Sequence, residues 1–200
     1  MTYRTLCKRC TRWADSGHAY RRWYGVARGV LRRLSEYYNV DYGTLCDVVA
    51  ITSPRVSVKQ NLRHAIGEIL EDPRPSSMIS PTEVALDHYY RTKEIRGAKT
   101  SRFARVLRGD DDVVVVDTWV GKALGILPRH ARHKANQVLA ERVVGHVAKR
   151  TGWTLASTQA AIWAGYMRGE SSKLVVPLFR VETVGLSRTG PNGQLSDVTF

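Results

Sequence analysis

The chain has 200 residues, 43% of them hydrophobic, and sets 31 lysines and arginines against 18 acidic residues, for a formal net charge of +13 and a pI of about 10.1. That apolar share is enough to bury a core, in one domain or in two small lobes sharing a cleft, and it excludes a disordered chain. The charge excess points to a polyanionic partner, nucleic acid first, because basic and aromatic residues are interleaved, as in Tyr20-Arg21-Arg22-Trp23-Tyr24, rather than gathered in a tail. No run of about 18 apolar residues and no secretory leader is present, so neither a membrane partner nor export is expected and the cytoplasm is the expected compartment. Cys7, Cys10 and Cys46 cannot all pair with one another, and reduced thiols are expected.

In chain order, residues 1–17 read as a basic arm. From His18 to about Asn39 the apolar positions Trp23, Val26, Ala27, Val30, Leu31 and Leu34 recur at three and four, which predicts an amphipathic helix with a basic face. Leu45, Val48, Val49 and Ile51 predict a buried helix after Asp41 that stops before Thr52-Ser53-Pro54. A third helix is expected over Ser57–Leu70, then a loop around Asp72–Ser77. Ser80-Pro81-Thr82-Glu83 has the grammar of a helix start, with Ser80 as the cap, and that helix should reach about Tyr90.

Gly97 marks a break, and Phe103, Val106 and Leu107 form a short apolar stripe closed by Gly109. The run from Asp110 to Asp117 has strand propensity in Val113–Val116 but no partner strand, so a buried extended connector is expected. Asp117 and Thr118 can cap a helix through about Leu124, closed by Gly125 and Pro128. Helices over about Arg132–Lys149 and Leu155–Tyr166 follow, and residues 170–200 read as a C-terminal extension, with a short apolar run at Leu174–Val176 and a loose tail from Ser187 to Phe200. The prediction is an all-α fold.

The informative segment is Gly97-Ala98-Lys99-Thr100-Ser101, followed by a short helix, the apolar connector and Val116-Asp117-Thr118-Trp119-Val120. It resembles the helix-hairpin-helix DNA glycosylases, the endonuclease III group in particular: a hairpin ending in glycine, one residue and a lysine-threonine pair, then a valine-aspartate-threonine motif at a helix start, with a similar separation between lysine and aspartate. Residues 45–65 resemble that family's helix-loop-helix facing the damaged strand, and Gln159–Arg168 the helix that closes its second lobe. Ile95 stands where the first hairpin glycine is expected, the span from Asn61 to Lys99 is shorter than in the enzymes, and no four-cysteine cluster follows Arg168.

The resemblance implies a two-lobed helical fold over residues 18–169 with a degenerate hairpin, and an enzyme that flips a nucleotide from DNA and cleaves its N-glycosidic bond in the interlobe cleft. Asp117 would stabilise the positive charge that builds on the sugar, and Lys99 could attack C1′ as a free amine, giving a Schiff base and strand cleavage. Arg55, Lys59, Gln60, Asn61, His64, Arg96, Gly97, Thr100 and Arg102 would contact the strand or the flipped base. Two alternatives stay open. One is a phage-type transferase that hypermodifies a pyrophosphorylated 5-hydroxymethyluracil in host cytoplasm; the other is a DNA-binding module without chemistry.

No cofactor and no metal are expected, and a monomer is expected. Cys7 and Cys10 have zinc-ligand spacing, with His18 and Cys46 as further candidates, but a second such pair is missing, so surface thiols are the simpler reading. His130, His133 and His146 lack a carboxylate in metal-binding register. Trp119 and Trp163 read as core, and the pairs Tyr37-Tyr38 and Tyr89-Tyr90 as packing between lobes.

Overall fold

Hydroxyl and carboxylate side chains set several helix starts. Thr2, Asp41, Ser57 and Asp117 each accept the backbone N–H three residues on, at 3.3, 2.7, 3.2 and 2.7 Å. The computed structural model describes residues 2–71, 73–74, 76–126 and 133–170, among which there are nine α-helices and no strand. They are α1 (Tyr3–Ser16), α2 (Trp23–Tyr38), α3 (Tyr42–Thr52), α4 (Val58–Ile69), α5 (Ser80–Thr92), α6 (Ala98–Arg108), α7 (Thr118–Ala123), α8 (Lys134–Thr151) and α9 (Leu155–Glu170). The chain is all-α, as expected. None of these helices is long and apolar enough to cross a membrane.

Three boundaries differ from expectation. Residues 3–16, expected within an arm, form a helix: Leu6, Cys7, Cys10 and Ala14 are buried on one face of α1, which packs on α9 and α8. The two cysteines supply apolar surface there, which is why a reading of them as surface thiols missed the helix. His18–Tyr20 is a 3-10 turn, so α2 starts only at Trp23. Ser80 is the first residue of α5 rather than its cap; Ile79 holds that position, and its carbonyl takes the N–H groups of Thr82 and Glu83. Pro128, His130 and the extension beyond residue 170 lie outside the described residues.

Two hydrophobic clusters form the interior. One gathers α2 to α6, with Leu31, Leu34, Leu45, Val48, Leu62, Leu86 and Leu107 fully buried. The other gathers α1, α7 and α8 around Cys10, Val120, Val143, Val144 and Val147. Helix α9 serves both: Ala156, Ala160 and Ala164 face the first cluster, while Ala161, Ile162 and Tyr166 face the second. The connector between α6 and α7 does the same with a two-residue period. Val113 and Val115 enter the first cluster, Val114 and Val116 the second. An extended segment alternates its side chains between faces, so here strand propensity joins two helical layers without any sheet.

Close backbone approach locks α1 to α9. A Cβ on Gly165 would stand 1.9 Å from the Trp13 carbonyl oxygen, and one on Gly17 would stand 2.0 Å from that of Ala161. On the other side, Arg28 ties α2 to the connector by pairing with Asp111 while donating to the Val106 carbonyl at 3.0 Å. Tyr89 is buried with its hydroxyl donating to Asp47 at 2.9 Å, whereas Tyr37 and Tyr90 are exposed.

Candidate active site

Helix α6 begins at Gly97, whose φ of +90° and ψ of 128° are open to glycine and strained for other residues. No side chain caps this start. The sharp entry aims Lys99, in the first turn, inward toward the end of α3, where Nζ donates to Ser53 Oγ at 2.7 Å and lies 5.3 Å from the Phe103 ring centre. Burial pushes the Lys99 amine below its ordinary pKa, and the negative charge of Asp117 acts in the opposite sense.

Asp117 follows Val116, a member of the second cluster. The extended connector ends on it, and its Oδ1 caps α7 through the Val120 N–H at 2.7 Å. Burial lifts the carboxyl above the usual carboxylate range; the Val120 N–H, then Lys99, hold it down. The two groups influence each other electrostatically, yet no ion pair within 4 Å joins them, because the ammonium is spent on Ser53 and the carboxylate on the helix cap. Desolvation moves both toward their neutral forms, the direction that makes an amine nucleophilic.

Both line a cavity of about 140 Å³ set against the first cluster, with Trp163 packing on both clusters. Trp23, Tyr24, Phe103 and Trp163 supply aromatic wall, and Ser53, Asn61 and Gln159 supply polar atoms. An apolar cavity of about 150 Å³ is large enough for benzene, so this one is on the scale of a single six-membered ring. The Trp23 and Trp163 rings meet edge-on at 5.6 Å, and Trp23 and Phe103 lie 6.5 Å apart, tilted by 31°.

The other residues named from sequence divide. Asn61 lines the cavity, with Oδ1 accepting from Thr52 Oγ1 at 2.6 Å. Arg55, Lys59 and Arg96 are exposed, and Gln60 and Thr100 are partly so. Along the α3–α4 turn, Ser53, Val56, Val58 and Asn61 face the cavity while Arg55 and Lys59 stay in solvent, so one short stretch serves the cavity and a basic rim. Two expected strand contacts point elsewhere. His64 is buried and hydrogen-bonded to Ser77 at 3.1 Å, and burial lowers its pKa. Arg102 is engaged with Glu141 at 2.6 Å and Gln137 at 2.7 Å, linking α6 to α8. Both side chains have partners within the fold.

Sequence reasoning missed Ser53, Tyr24 and Gln159 as site residues and took Trp163 for core, although it is only half-buried on the cavity wall. No local signal marked Gln159, which follows Ser157 and Thr158 ahead of the apolar run Ala160–Ala164. Among the described residues no group of three histidines, cysteines or acids stands close enough to hold a metal ion. Cys7 and Cys10 are enclosed in the second cluster, and His18 packs on Trp153 with ring centres 5.4 Å apart.

No curated protein and no solved structure matches the chain. Residues 12–170, which hold every described cavity residue, match a family of unknown function, DUF7178, and the chain belongs to that family.

Proposed function

We propose that this protein is a DNA glycosylase-like enzyme that extrudes a nucleotide from duplex DNA and cleaves its N-glycosidic bond, with Asp117 and Lys99 as catalytic residues. One observation carries the reading: residues paired by motif spacing in the sequence, one in the first turn of α6 and the other the cap of α7, line a single ring-sized cavity. In the proposed chemistry the Asp117 carboxylate stabilises positive charge on the sugar as the C1′–N bond breaks and the base leaves with the bonding electrons. The Lys99 amine adds to C1′ through its lone pair and loses a proton. Opening of the sugar then gives a Schiff base, from which elimination cleaves the strand. Arg55, Lys59 and Arg96 would hold phosphates at the rim, and the +13 charge would make association strongly salt-dependent.

The test is incubation with duplexes carrying uracil, 5-hydroxymethyluracil or oxidised pyrimidines, with borohydride present, beside Lys99→Ala and Asp117→Asn. A covalent adduct lost in Lys99→Ala supports the lyase form, and base release without an adduct supports hydrolysis by water. DNA binding with no base release from any duplex sinks the excision reading. Conversion of pyrophosphorylated 5-hydroxymethyluracil DNA by an added amine would then identify the transferase.

A further inference from the structure

Three of the polar groups facing the cavity, on Gln159, Asn61 and Lys99, have a common sense. The Tyr24 hydroxyl is buried and donates to Gln159 Oε1 at 2.7 Å. A phenol proton needs an acceptor when buried, and this bond fixes the carboxamide so that its oxygen is occupied and its N–H₂ group remains. Asn61, also buried, has Oδ1 2.6 Å from Thr52 Oγ1, whose one proton is shared between that oxygen and the Val48 carbonyl at 2.8 Å. Lys99 adds only donors. The one carboxylate, Asp117, accepts from the Val120 N–H through Oδ1 and faces the sugar in the proposed reaction, and Ser53 Oγ is engaged by Lys99 and the Ala50 carbonyl. Donors therefore stand on α4, α6 and α9, around a space that admits one ring.

We infer that Gln159, oriented by Tyr24, and Asn61, oriented by Thr52, read the extruded base and select a single-ring base with carbonyl oxygens on separate edges, the 2,4-dioxopyrimidine class, over its 4-amino counterpart. A flipped base is read along its hydrogen-bonding edge while aromatic groups hold its faces. A dioxopyrimidine meets two walls of donors with an acceptor on each. The 4-amino ring turns its own N–H₂ toward one of them, which leaves two donors facing each other without a partner. The inference rests on the glycosylase-like reading for its biological substrate, but the selection belongs to the cavity itself.

Two measurements test it on the full chain. In the first, release of 5-hydroxyuracil and 5-hydroxycytosine is compared in otherwise identical duplexes. The dioxo base should be released at least about tenfold faster, as expected for one unmade buried hydrogen bond. Gln159→Glu should narrow or invert the ratio, since a carboxylate accepts from an exocyclic amine. Tyr24→Phe should narrow it by freeing the amide to turn. Equal release of both bases, with Gln159→Glu slowing them alike, overturns the inference and leaves the excision reading standing.

If neither base is released, quenching of Trp23 and Trp163 fluorescence by free uracil and free cytosine reads the cavity without chemistry. A midpoint at least about tenfold lower for uracil, lost in Gln159→Ala, supports the selection even as excision fails. Equal midpoints, or no quenching by either base, overturn it.

Discussion

Lys99 reaches across the cavity mouth to Ser53, 46 residues earlier in the chain, and its Nζ lies 2.7 Å from Ser53 Oγ; that hydroxyl in turn donates to the Ala50 carbonyl at 2.8 Å. Because its proton is committed to Ala50, Ser53 can meet the lysine only as an acceptor. The contact therefore favours the ammonium form, against the burial that favours the free amine. Ser53→Ala should move the pH midpoint of borohydride trapping toward acid. An unchanged midpoint would show that the serine does not tune the amine.

The pH profile of the unaltered protein follows from the same two groups. Lys99 sits below its ordinary value, so the free amine forms as pH rises through that lowered pKa; Asp117 sits above its ordinary value, so its carboxylate also forms as pH rises. Both changes increase the reactive state, and neither produces a falling limb. The trapping rate should climb with pH through the lowered Lys99 pKa and then level off. A bell-shaped profile peaking in acid would require a protonated group that this pair does not provide.

Substitution of Lys99 should raise stability while it removes activity. Between its lowered folded pKa and the ordinary lysine value, the unfolded chain binds more protons than the folded one, so stability rises with pH across that window. At neutral pH, within or below the window, holding a charge there costs stability. Lys99→Met keeps the length and removes the charge, so it should raise the unfolding free energy by about 0.5–2 kcal/mol while abolishing trapping. Urea titration beside the trapping assay measures both.

Asp117 separates its two roles by substitution. As a helix cap, asparagine is its equal and alanine costs about 1 kcal/mol. Asp117→Asn should therefore hold or raise stability, since burial disfavours the native charge, and Asp117→Ala should lower it. Both should lose base release. Full release by Asp117→Asn would leave the residue with only its capping role.

Most helices were legible because one-sided burial writes the period of three and four into the sequence, as in Trp23 to Leu34. Lys99 and Asp117 could be paired because their residue types and separation resemble the glycosylase motifs, and each stands at a helix start announced by a local signal, Gly97 and the cap itself. What stayed hidden depended on which cluster a residue faced. Nothing local marks Val113 and Val115 as belonging to one interior and Val114 and Val116 to the other. The destination of Arg102 is equally silent, since Glu141 is brought to it only by the packing of α8. His64 and Asn61 share a helix and similar chemistry, yet one is closed off with Ser77 and the other opens on the cavity.

The α1–α9 contact makes the sharpest prediction about the fold. Gly165 lies in a helix interior, where alanine is ordinarily favoured by about 1 kcal/mol, yet its Cβ would stand 1.9 Å from the Trp13 carbonyl oxygen. Backbone cannot swing away as a flexible side chain can, so Gly165→Ala must push α1 off α9 and should cost at least about 1–3 kcal/mol. Gly145 in α8 is the control: a Cβ there meets only the Leu155 side chain, at an ordinary 3.9 Å. Gly145→Ala should stabilise by up to about 1 kcal/mol. Opposite signs in a urea titration would place the N-terminal helix within the folded core, whereas a neutral Gly165→Ala would mean that α1 docks loosely and that residues 3–16 contribute little to holding the second cluster together.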